Sequence, residues 1–112
     1  MPVMTETMVS AEEMADVRRW AREAAELAGP GDDHLSRRVL AVCAALDWAA
    51  GTARFGPVSG AGMEPTQENL EFESRRAWDE ESELRRRRER TTYPGAVHAT
   101  LEFVLGRTEA PF

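Results

Sequence analysis

The sequence predicts an all-α fold, a single domain of four helices with an apolar second helix at its centre. Three observations carry this. Apolar residues recur at spacings of three and four in four segments, most of them opened by a capping residue and followed by glycine or proline. The segment Leu35 to Gly51, LSRRVLAVCAALDWAAG, is apolar around most of its circumference, as suits a helix inside an assembly. No stretch alternates apolar and polar residues over the length of a convincing strand.

The first segment opens on Ser10 followed by Glu13, a capping box in which hydroxyl and carboxylate satisfy otherwise unpaired amides. A helix is expected from Ala11 to Ala28, ended by Gly29-Pro30-Gly31. Its apolar stripe is Met14, Val17, Trp20, Ala21, Ala24, Leu27 and Ala28. Asp32 or Asp33 can cap a second helix, His34 to Ala50, with the seam Leu35, Val39, Val42, Leu46, Ala49. Asp47 is the sole formal charge between Arg38 and Arg54. A carboxylate in so apolar a setting needs a partner, and Arg54 is nearest in sequence, so an Asp47–Arg54 ion pair is expected.

The stretch Thr52 to Thr66 holds Gly56, Pro57, Gly60, Gly62 and Pro65, too many breakers for a periodic element. Phe55, Val58 and Met63 are apolar anchors, which favours an ordered loop packed with the second helix. Thr66 caps a long polar third helix, Gln67 to Arg90. Its thin seam is Leu70, Ala77 and Leu84, with Ser74 and Glu81 between, and Phe72 and Trp78 project away from it. Glu81–Arg85 and Glu83–Arg87 are i,i+4 pairs in the favoured order. Pro94 begins a fourth helix, to Leu105, that buries Val97, Leu101, Val104 and Leu105 before Gly106. Residues 1–9 read as a mobile leader, 10–106 as the helical domain and 107–112 as a frayed tail, with Phe112 free to dock on the domain.

At 112 residues, with 42% hydrophobic and 30% charged residues, the composition is globular. No apolar run approaches the roughly 20 residues of a membrane span. The N-terminus lacks a secretory signal's basic and apolar regions, so a cytoplasmic protein with no membrane partner is expected. A net charge of -6 argues against a nucleic-acid footprint over the whole surface. All 14 basic residues are arginine, which reflects coding bias more than selection for guanidinium chemistry. The single cysteine, Cys43, lies among Val42, Ala44 and Ala45 and reads as a small buried residue.

No specific catalytic, nucleotide or metal motif stands out. Arg85, Arg86, Arg87 and Arg88, with Arg90, could neutralise phosphates if they surround a helix, but the acidic stretch before them favours a solvated or protein-binding end. His98 and Glu102 share one face as a lone pair. Glu13 and Asp16, and Glu68 and Glu71, are one turn apart, and on facing helices they could hold Mg²⁺. EEMADV, Glu12 to Val17, is similar to the second metal-binding helix of the all-α nucleoside triphosphate pyrophosphatases of the MazG type. That resemblance implies a Mg²⁺-dependent hydrolase, but the family's preceding glutamate-rich helix has no counterpart here. LDWAAGTARFGPVSG resembles a W-A-x-G…P-V-S-G pattern in short uncharacterised proteins of actinobacterial genomes and mobile elements. It covers Leu46 to Thr66 and implies no activity.

The apolar second helix, with Phe72 and Trp78, exceeds what a thin four-helix monomer covers. A homodimeric protein-interaction or regulatory protein is therefore expected, with no cofactor and with Phe72, Trp78 and Arg85 to Arg88 at the partner surface. The alternatives are the Mg²⁺-dependent hydrolase and nucleic-acid binding through Arg85 to Arg90.

Overall fold

The computed structural model describes residues 8–89 and 92–111. Four helices are present: α1 (Ala11–Ala28), α2 (Asp33–Ala49), α3 (Gln67–Arg86) and α4 (Tyr93–Val104). Three of them start on a side-chain cap. Ser10 and Glu13 form the capping box of α1, Asp32 accepts from the amide of Leu35 at 2.9 Å, and Thr66 accepts from the amide of Asn69 at 3.1 Å. Each satisfies a helix-start amide that has no partner within the helix.

The two inner helices are α2 and α4. α1 packs on α2 and α3 packs on α4, while α2 and α4 pack on each other. Val42, Leu46, Trp48, Val97, Leu101 and Val104 are buried between the layers, with Met14, Val17 and Ala21 from α1 and Leu70 and Ala77 from α3. Burying each large apolar side chain contributes roughly 1.5–3 kcal/mol before entropy is counted. The loop covers the end of α2: the indole N–H of Trp48 donates to the carbonyl of Met63 at 2.9 Å, and Ala53, Val58 and Met63 rest against the core.

Three boundaries differ from expectation. α3 stops at Arg86 instead of Arg90, because the chain beyond Leu84 has no apolar residue to hold a further turn. Arg87 caps it, Arg88 turns left-handed at φ 58°, and the amide of Glu89 returns to the carbonyl of Leu84 at 3.0 Å. Of the expected leader, residues 1–7 lie outside the described residues. Met8 and Val9 do not behave as a mobile segment: both pack on the core, and the amide of Val9 donates to the carbonyl of Val104 at 3.0 Å. Nor does the tail fray at residue 107. Arg107 pairs with Glu71 and Glu102, Ala110 rests on the core, and Arg38 donates to the carbonyl of Pro111. The docking expected of Phe112 lies outside the described residues.

Candidate functional site

The loop between α2 and α3 closes around a buried carboxylate. Phe55 and Gly62 form an antiparallel bridge, and the amide of Gly56 donates to the carbonyl of Ala61 at 2.9 Å. Beneath this small ring lies Glu73, with 0% of its surface exposed. Its Oε2 accepts from the amides of Val58 at 2.6 Å and Ser59 at 2.8 Å, short bonds of the charge-assisted kind. Oε1 meets no hydrogen-bond donor among the described residues and lies against Gly56, where a Cβ would come within 2.8 Å of it. Val58 and Ser59 thus turn their amides inward while Phe55, next to Gly56, is 58% exposed. An open cleft of about 480 Å³ follows, lined by Gly51 to Arg54 and Gly62 to Pro65.

Sequence reasoning missed Glu73. The signal was present, since Glu73 stands three residues after Leu70 and four before Ala77 and so falls on the buried face. The glycine-rich loop supplies the amides such a carboxylate needs.

Asp47 is paired, but with Arg18 of α1 and not with Arg54. The Nε of Arg18 is 2.7 Å from Oδ1 and its Nη2 is 3.3 Å from Oδ2, a fork-on-fork geometry, with the two side chains about one-third exposed. Asp47 lies on the flank of α2 that faces α1. The first loop amides, at Thr52 and Ala53, bond to the carbonyl of Asp47, and Arg54 beyond them is exposed at the loop cleft. The hydrogen bond to Asp47 holds the Arg18 guanidinium pKa above its ordinary value. Cys43 is half-buried nearby, and burial raises its thiol pKa, the opposite of an activated nucleophile.

A second polar group ties α3 to α4. The Ser74 hydroxyl donates to Glu102 Oε2 at 2.7 Å. His98 Nδ1 lies 3.0 Å from that hydroxyl and 3.1 Å from the Ser74 carbonyl. Trp78 packs on the His98 ring at 5.1 Å, and Arg107 bridges Glu71 at 3.0 Å and Glu102 at 3.4 Å. In a nucleophilic triad histidine stands between hydroxyl and acid. Here the serine stands between them and is only 2% exposed, so the group acts as a clamp between helices. The lone His98–Glu102 pair expected from sequence is therefore part of a larger cluster.

The other predicted residues are dispersed. Glu13 is committed to the cap of α1, Asp16 pairs with Arg19 at 3.1 Å, Glu71 pairs with Arg107, and Glu68 is exposed in the first turn of α3. The principal contact of α1 is with α2 and not with α3, so the two carboxylate pairs are not on facing helices. Among the described residues no group of three or more His, Cys, Asp or Glu could hold a metal ion. Arg85 to Arg88 are exposed but do not encircle a helix, since α3 ends at Arg86. Arg85 bonds Glu81 at 2.8 Å, Arg86 bonds Glu83, and Arg87 lies 3.5 Å from Glu83; Arg90 lies outside the described residues. Phe72 and Trp78 are both exposed, on different faces of α3.

No protein-family model matches the chain, and no curated protein or solved structure matches it.

Proposed function

We propose that the protein is a cytoplasmic, non-catalytic interaction module of a regulatory kind, which associates with a second copy of itself and uses the loop between α2 and α3 as its recognition element. The observation that carries this reading is Phe55: a large aromatic held in solvent on a loop whose backbone is fixed from beneath by Glu73. A pre-ordered loop loses little entropy on binding, and an exposed aromatic on it is a usual anchor for an interface. Trp20, Leu27, Leu40, Phe72 and Trp78 add further exposed apolar surface, of the kind a self-associating protein covers. The serine-centred clamp and the dispersed carboxylates favour binding over catalysis. Among the described residues no helix is long and apolar enough to cross a membrane.

Light scattering over a range of concentrations tests the reading. A dimer that dissociates on Phe55→Ser, with the helical circular dichroism unchanged, is the expected result. A chain that stays monomeric throughout, or a dimer indifferent to Phe55→Ser and Phe72→Ser alike, would remove it.

A further inference from the structure

The two halves of the chain repeat one another. Leu46, Asp47, Trp48 and Gly51 recur 55 positions on as Leu101, Glu102, Phe103 and Gly106. The residues that close the two helices bond identically. Ala50, Gly51 and Thr52 donate their amides to the carbonyls of Leu46, Trp48 and Asp47 at 2.8, 3.0 and 2.9 Å. Leu105, Gly106 and Arg107 donate to those of Leu101, Phe103 and Glu102 at 2.9 Å each. Gly51 and Gly106 are both left-handed, at φ 84° and 78°.

The first helix of each half matches as well, 56 positions apart: Ser10 and Thr66 are the caps, and Met14 and Ala21 are buried where Leu70 and Ala77 are buried. Each outer helix is led in by a segment that bonds the inner helix of the other half, though not at equivalent positions. The segment before α1 bonds α4 through Val9 and Val104, and the segment before α3 bonds α2 through Met63 and Trp48. A left-handed residue with these closing bonds ends many helices, α3 at Arg88 among them, and the two leader bonds join non-equivalent positions, so the match rests on the shared residues of α2 and α4, on the caps and on the buried positions of α1 and α3.

We infer that the chain is a tandem duplication of one helix-pair unit, α1–α2 and α3–α4, joined through α2 and α4, and that the cleft between the two helices of each unit is the same site present twice. One cleft is bounded by Arg18, Leu46, Asp47 and Thr52, the other by Ser74, His98, Glu102 and Arg107. Arg18 and Ser74 are counterparts, as are Cys43 and His98, Asp47 and Glu102, and Thr52 and Arg107. Both units keep an acid at the same place and neutralise it with arginine. The first draws the arginine from its outer helix, as Arg18. The second has serine there and draws it from the residue after the closing glycine, as Arg107.

This equivalence is open to a transplant. Arg18→Ser gives the first unit the serine of the second and is expected to lower the urea midpoint. Adding Thr52→Arg places a guanidinium where the second unit carries Arg107, and is expected to restore most of the loss. The restoration should vanish when Asp47→Ala is added, and should fade in high salt. If Thr52→Arg restores nothing, or restores as much without the Asp47 carboxylate, the two clefts are not equivalent and the inference is overturned. Arg18→Gln serves the same cycle should Arg18→Ser leave the chain unfolded.

Discussion

Glu73 shows how one side chain can organise a segment. A fully buried carboxylate is costly in isolation, and here two loop amides take the place of water on Oε2. Glu73→Gln keeps the size and removes the charge, so the two bonds weaken; a loss of about 1–3 kcal/mol is expected by urea denaturation, with faster protease cleavage within residues 52–66. Gly56→Ala tests the same packing from the other side, because its methyl would press on the Glu73 carboxyl, 2.8–2.9 Å away. It should likewise destabilise and open the loop.

Tyr93 gives an optical readout of the same region. It is the single tyrosine, and burial pushes its phenol above the ordinary value of 10.0, with the Glu73 charge adding to the effect. The native state therefore favours the protonated phenol. That stability is complete below pH 10 and is lost as pH rises through the raised value. An alkaline absorbance titration should give a midpoint above that of the unfolded chain, and Glu73→Gln should move it back down. A midpoint equal to the unfolded one would mean the ring is not held as described.

Among the helices, the starts were legible and so were the ends of α1, α2 and α4, each within one residue of expectation, whereas the end of α3 was not. Ser10, Asp32 and Thr66 act on amides within three residues, so their role depends on local spacing alone. The end of α3 depends on what the chain beyond it can bury. Arg87 and Arg88 have good helix propensity, yet with nothing apolar to pack they leave the helix, and Arg88 takes a left-handed conformation that glycine tolerates better. Arg88→Gly is expected to stabilise the protein by up to about 1 kcal/mol in thermal or urea unfolding. An extended α3, running on to Arg90, would make the same substitution destabilising.

In the whole molecule, α2 and α4 share the core and the outer helices each lean on one of them. Leu101 is fully buried at this junction, and Leu101→Ala should cost about 2–5 kcal/mol, whereas the exposed Leu27→Ala should change stability by less than about 0.5 kcal/mol. Equal effects of the two in urea denaturation would place the core elsewhere.

Sequence alone determined the all-α class, the four helices, the caps, the central place of α2 and the packing of the loop against it. All of these rest on local spacing or on an apolar circumference that only burial can satisfy. Tertiary structure decided which partner each charge takes. Asp47 meets Arg18 because α1 passes along its flank, while Arg54 is exposed on the loop. Glu73 is buried because the loop folds over α3, and Ser74, His98 and Glu102 meet because α3 packs on α4. Distance along the chain is a poor guide to such pairings. A charged side chain is satisfied by whatever element the fold brings to its face, and that element can lie 29 residues away, as Arg18 does from Asp47.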